Sequence, residues 1–499
     1  MKAATKAATK AATILLAACI AARPAAAAVV AASGYAAHAI PTADPVQGGV
    51  VRRGKAVLVG QGAFGAGGER IVRLDGSGAT TVATGFNSLG GFDLDAGGTL
   101  YVADNGGEQT GAVTGDTLFA IPDALTRTAA LSAAGQEVVA KNTIPSAMDV
   151  LVAPDGSVLV TDAAGPGAGR VVRVRKGVAA DLVSGLNIQG IALGAKGVLL
   201  VSALDASYTV GTILRYTLRG AARGTFASGL SGAFDHVLDT DGDVLVSGSS
   251  KVVALAPDGS ARPDRASGFG FSTAMFFDQP RDEILVLDAG ASAIAAICRD
   301  RDGDGVCDVD DDCPAVADPS QTDADADGVG DACACSGGTI GKAHVTIGNL
   351  ATPPGDETLV VKGTMTASPA VDPVATGLRL LVRDGSGTVL NATIPGGAFD
   401  PLHEAGWTAG KHGAFIYRSP RGVLGIAKVT VKLSSKNPGQ LTLAVVAKNG
   451  SFAVNPTQLP LSLFVTFGGA AQCGVATFPG AAPDPHCAYD ATRGKVKCG

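Results

Sequence analysis

Twelve aspartates lie between residues 300 and 331, against a single arginine, a net charge of −11 over that stretch. They are spaced, not scattered. Asp300, Asp302, Asp304 and Asp308 take positions 1, 3, 5 and 9 of a loop whose position 6 is Gly305, and Asp323, Asp325, Asp327 and Asp331 repeat the pattern around Gly328. This is the spacing of an oxygen-ligand loop for Ca2+: alternate residues point inward, position 7 (Val306, then Val329) offers its carbonyl, and glycine permits the sharp turn. Asp311 stands at position 12 of the first loop, where a closing carboxylate belongs; Ala334 stands there in the second. A solvated acidic linker would need neither the repeated glycine nor the interleaved Cys307, Cys313 and Cys333. Without metal, so many carboxylates repel, so calcium is expected to order the join between the domains on either side.

The phrases between and after the loops are Cys313-Pro314, Asp318-Pro319-Ser320-Gln321 and Gly330-Asp331-Ala332-Cys333. With them, the stretch 300–335 resembles thrombospondin type 3 repeats, with Asp318 where that family usually has Asn. The resemblance implies a calcium-filled, disulfide-pinned, non-helical connector in which Cys313 pairs with Cys333. Cys298 is a candidate partner for Cys307, and the other pairings stay open.

The rest of the chain must hold this connector. Its 499 residues suffice for two or three domains, and 46% hydrophobic content allows large cores. High glycine (69 residues) with few helical periods points to short strands and many turns. The formal net charge is −6, and nothing suggests a nucleic-acid surface. Lys2, Lys6 and Lys10 followed by apolar Ala11 to Ala22 form an export leader over 1–30, too short and weakly apolar to span a membrane. Leu16-Ala17-Ala18-Cys19 resembles a bacterial lipobox, which would place a lipid anchor on Cys19; apolar residues continuing past Cys19 favour ordinary cleavage instead. Eight cysteines remain beyond the leader, an even number that fits disulfides and an oxidising, extracellular, periplasmic or cell-surface location.

Over 46–299, apolar triplets end at Val59, Val102, Val160, Val201, Val246 and Val286, spaced 43, 58, 41, 45 and 40 apart. Turns such as Pro154-Asp155-Gly156 precede them and further strands flank them. Several short strands per repeat, six times over, predict a six-bladed β-propeller, since such a sheet cannot bury both faces alone. The longest spacing marks an insertion near 106–134 in the second blade, a candidate functional loop. Leu100-Tyr101-Val102-Ala103-Asp104 and Gly190-Ile191-Ala192 resemble NHL-type and SMP-30-like propellers. Lactonase-like relatives hold one metal with a Glu, Asn and Asp set, and Asn87, Asn142 and Asn187 do not supply a matching one. An inner-strand column reads Gly91, Asp149, Gly190, Asp235, Met275. Asp149 and Asp235 read as a channel metal or acid/base pair, or as groups bonded to backbone; the second reading is favoured because short polar residues serve turns and strand ends this way. His236 reads as structural.

Alternating runs over 338–470, such as Ala427 to Leu433, predict a β-sandwich, followed by a cysteine-containing, loop-like tail over 471–499. Trp407, Phe415 and Tyr417 read as core ahead of a carbohydrate platform. The expected whole is all-β: six-bladed β-propeller, calcium connector, C-terminal β-sandwich. The function expected is an exported, adhesion-type binding protein, with an extracellular protein or glycan as partner and no catalytic residues assigned. A propeller hydrolase with a channel metal and a structural envelope component are the alternatives.

Overall fold

The computed structural model describes residues 29–499 apart from 63–67, 77, 106–114, 324–327, 335–337, 352–354, 367–370, 402–403, 468–471 and 482–484. The leader, Cys19 and part of the second-blade insertion lie outside the described residues. Among those described, no helix is long and apolar enough to cross a membrane. The chain divides into two compact units, one of residues 37–278 and 283–297 with the N-terminal segment, the other of 298–499 with 33–36 and 279–282.

The first unit is a six-bladed propeller. Its blades are sheets whose innermost strands are Val46–Arg53, Leu89–Leu94, Ala147–Val152, Ile188–Leu193, His236–Leu238 and Ser272–Asp278. Each of these packs on the next, and the last returns to Val46–Arg53, so the ring closes. The apolar triplets are the second strands, buried between blades: Leu58, Val102, Leu159, Val201, Leu245 and Leu285 are inaccessible to solvent. Five inner strands carry a bulge near their start, which turns the following side chains toward the neighbouring blade.

Two features lay outside the sequence reading. Strand Tyr35–Ile40, ahead of the expected start at 46, is the outermost strand of the sixth blade. An N-terminal strand thus completes the blade built from the end of the repeat, pairing an edge that would otherwise be open. The described part of the second-blade insertion is also fastened rather than free. Leu131–Ser132 pairs in parallel with Ala83 and Thr84 of the first blade, and Arg73 donates to the Leu125 and Arg127 carbonyls at 3.1 and 2.8 Å.

In the second unit, an eight-stranded and a four-stranded sheet face each other. Their inward residues, among them Val345, Val361, Leu380, Val429, Val445 and Val465, form one core. Trp407 lies in it, 1% exposed, with its Nε1–H donating to the Pro395 carbonyl at 2.7 Å and its ring 5.5 Å from that of Tyr417. The core reading of these aromatics therefore holds. Residues 471–499 are not a loop-like tail: Cys473–Thr477 joins the small sheet, and Cys487–Asp490 and Lys495–Cys498 extend the large one. Val496 points inward into the core between half-buried Lys495 and exposed Lys497, a pattern too short to read as a strand from sequence.

Candidate metal centre

Residues 300–312 fold as consecutive turns held by their own carboxylates. Asp300 accepts from Gly303 N–H at 2.8 Å and Gly305 N–H at 3.0 Å, and both glycines have positive φ (79° and 94°). That is why position 6 must be glycine: the loop wraps its first aspartate with a left-handed backbone. Asp302 and Asp304 accept from the amides two residues on, and Asp304 Oδ2 also accepts from Asp318 N–H at 2.9 Å. Disulfides pin both ends, Cys298–Cys307 and Cys313–Cys333.

Two oxygen clusters result. One ligand atom from each of Asp300, Asp302 and Asp304 lies within 4.8 Å of the others, and the same holds for Asp304, Asp311 and Asp318, so Asp304 serves both. Asp311 is 1% and Asp318 8% exposed, yet the Oδ2 of each, like Oδ2 of Asp302, has no hydrogen-bond partner. Buried anionic oxygens without donors are costly unless a cation meets them. Accordingly, burial and the neighbouring carboxylates push Asp302 up to about 6 and Asp311 up to about 7, and burial and Asp318 push Asp312 up to about 6. Gln321 sets the second cluster, its amide donating to Asp311 Oδ1 and Asp318 Oδ1, both at 3.0 Å. Hard, closely set carboxylate oxygens suit Ca2+.

Other predicted ligands sit differently. Asp308 turns to Arg301, accepting its N–H at 3.0 Å and pairing with its guanidinium at 3.1 Å. The Val306 amide donates to Asp304. Asp323 accepts from Gly328 N–H at 2.7 Å, Val329 is buried, and Asp331 N–H donates to the Thr322 carbonyl. Asp325 and Asp327 lie outside the described residues. Asp318, a member of the second cluster, was not among the expected ligands; its place in the Asp-Pro-x-Gln phrase was the available signal.

The connector is packed onto the sandwich within the second unit. Cys313, Val329 and Cys333 bury against Leu381 and Phe464. Arg379 spans the join, donating from Nη1 to the Asp312 carbonyl, from Nη2 to the Asp311 carbonyl at 3.2 Å, and from Nε to Asn391 at 3.0 Å. Arg379→Met keeps the stem and removes the fork. It is expected to cost about 2–3 kcal/mol, because two connector carbonyls lose charged donors, and to speed proteolysis within 300–331; unchanged melting and cleavage would show the fork to be idle.

The propeller's channel aspartates have both oxygens engaged by backbone. Asp149 accepts from Val150 N–H at 2.8 Å and, in the next blade, Ile191 N–H at 2.9 Å. Asp235 accepts from His236 N–H and, in the next blade, Met275 N–H, both at 2.6 Å. Asp93, which the sequence did not single out, joins Leu94 and Val152 in the same way. The glycines of the column make room: a Cβ on Gly91 would sit 2.4 Å from Asp149 Oδ1, and one on Gly190 2.6 Å from the Phe234 carbonyl. Burial holds Asp235 up at about 7 and, with the Asp235 charge, Asp149 well above the carboxylate range. His236 donates from Nε2 to the Leu200 carbonyl at 3.2 Å, and burial lowers it to about 4, keeping it neutral. Among the described residues no three His, Cys, Asp or Glu donors gather in this channel.

No family model and no curated protein matches the chain. Solved structures similar to it include regucalcin from Agrobacterium tumefaciens, described as a calcium-binding protein (16% identity, 52% of this chain, 91% of that one, TM-score 0.40). A gluconolactonase from Xanthomonas campestris is also similar (18% identity, 52% and 97%, TM-score 0.36), as is an auxiliary nutrient binding protein from Bacteroides thetaiotaomicron (10% identity, 49% and 66%, TM-score 0.36).

Proposed function

We propose that this chain is an exported, calcium-dependent binding protein. Its propeller is the ligand platform, and its connector is a type 3 repeat element that calcium orders against the sandwich. The ligand is an extracellular protein or glycan. The observation that carries the reading is Asp304, shared by two oxygen clusters whose buried Asp311 and Asp318 each keep one carboxylate oxygen without a donor. Asp300, Asp302 and Asp304 would hold one ion, with the Val306 carbonyl as a further ligand, and Asp304, Asp311 and Asp318 another. Asp308 would join only on leaving Arg301. Asp323, Asp325, Asp327, Val329 and Asp331 would form the second loop's site. Among the described residues, six cysteines join as Cys298–Cys307, Cys313–Cys333 and Cys487–Cys498, which suits an oxidising compartment.

The test is calcium stoichiometry of the full chain by metal analysis and titration calorimetry, beside an Asp149→Asn/Asp235→Asn variant. More than one tightly bound ion is expected, with the same number in the variant. A chain that binds no calcium would overturn the proposal. Loss of an ion in the channel variant would move a site into the propeller and revive a channel-metal hydrolase.

A further inference from the structure

The outer face of the eight-stranded sheet has no role in the reading above. Its strands alternate strictly, Val345, Leu359, Val361, Val429, Val431, Leu443 and Val445 facing inward. The outward positions are mostly threonine, alanine and cations. Across the sheet one row runs Lys497, Thr346, Val360, Val446, Lys428, Arg418, each opposite the next. The adjacent row runs His344, Lys362, Ala444, Thr430, Ile416, and a third runs Thr364, Thr442, Lys432, Ala414.

Lys362, Arg418, Lys428, Lys432, Lys448 and Lys497 are all exposed on this face, and none is ion-paired among the described residues. From strand Ala414–Val423 across to strand Lys495–Cys498, no described outward position is acidic. Asp490, on the edge strand beyond, pairs with Arg493. Two observations set this apart from an ordinary solvated face. Arg418 lies directly across from Lys428, a like-charge pair that costs the sheet stability. The face is also cationic in a chain of net charge −6. A shallow depression of about 270 Å³ crosses its middle, lined by Lys342, Lys362, Thr364, Thr430, Thr442 and Ala444.

We propose that this face binds a linear acidic polysaccharide, one bearing sulfate or carboxylate groups. Strand spacing and residue rise place Lys362, Lys428 and Lys432 about 12–14 Å from one another, a span that suits charges repeated along an extended chain. Threonine hydroxyls donate to and accept from sugar hydroxyls. A membrane surface fits less well, because the apolar outward residues Val360, Val446 and Ile416 are half-buried and offer no anchor to insert.

The probe is dextran sulfate, with neutral dextran of the same length and phosphatidylglycerol vesicles as comparisons, applied to the full chain in saturating calcium. Dextran sulfate is expected to bind, neutral dextran not, and affinity to fall as salt rises. The triple variant Lys362→Gln/Lys428→Gln/Lys432→Gln should weaken binding at least about ten-fold, and Lys362→Glu/Lys428→Glu/Lys432→Glu should abolish it. Lys141→Gln/Lys176→Gln in the propeller should change nothing. Because all three lysines point to solvent, an unchanged melting curve checks that the variants fold. No binding at low salt, binding indifferent to the triple variants, or binding to vesicles alone would each overturn the proposal.

Discussion

Replacing Asp304 with alanine is expected to weaken calcium binding at least about a hundred-fold and to lower the unfolding temperature of the second unit by on the order of 10 °C in calcium. One carboxylate serves both clusters, so on the proposed reading its loss would remove a ligand from two ions at once. It also frees the Asp318 amide that Asp304 holds at 2.9 Å. An ion bound about 1,000-fold below its free concentration stabilises the folded state by about 4 kcal/mol. That linkage is what the substitution, or chelation of the wild type, removes. The chain has a single tryptophan, and Trp407 lies in the sandwich core, so its fluorescence follows the second unit alone. The Trp407 transition should move with chelator in the wild type and stay fixed in Asp304→Ala. A wild-type transition indifferent to chelator would separate calcium from the fold of this unit.

The second large effect lies in the propeller. Its stability is expected to decline as pH rises from about 4 through about 7. Asp235 titrates near 7 in the fold and Asp149 well above its ordinary value, against about 3.9 unfolded. The folded state therefore keeps protons that the unfolded state has released, and over that window each unit of pH costs about 1.4 kcal/mol for each such group. This stability is complete below the unfolded value and lost as pH climbs through the folded one. Circular dichroism in denaturant resolves this transition from the Trp407 signal. In Asp149→Asn/Asp235→Asn the slope should flatten, because the amide does not titrate over this window. Asp235→Ala orphans the His236 and Met275 amides and should cost about 2–4 kcal/mol. A wild type with no slope, or the same slope in the double variant, would remove these aspartates from the pH response.

The sequence by itself determined what depends on near neighbours. Gly305 and Gly328 stand within six residues of Asp300 and Asp323, whose carboxylates accept from their amides, so these turns were legible. So were the six buried triplets, because each blade's second strand is a local apolar run between turns, and the closed ring follows from repetition. Alternation marked the sandwich strands for the same reason. Only tertiary structure decided which carboxylates converge. Asp318 reaches Asp304 through the turn that Gln321 holds, and Asp308 turns to Arg301 despite standing at a ligand position. It also decided that Asp93, Asp149 and Asp235 join one blade to the next, since the amides they bind come from strands about 40 to 60 residues further on. The clasp strand at 35–40, the strands within 471–499 and the cationic face depend likewise on partners distant in the chain. Spacing encodes a turn or a ligand loop because its contacts lie within a few residues; pairing across a sheet or a blade junction depends on which distant surface arrives, and no local pattern carries that.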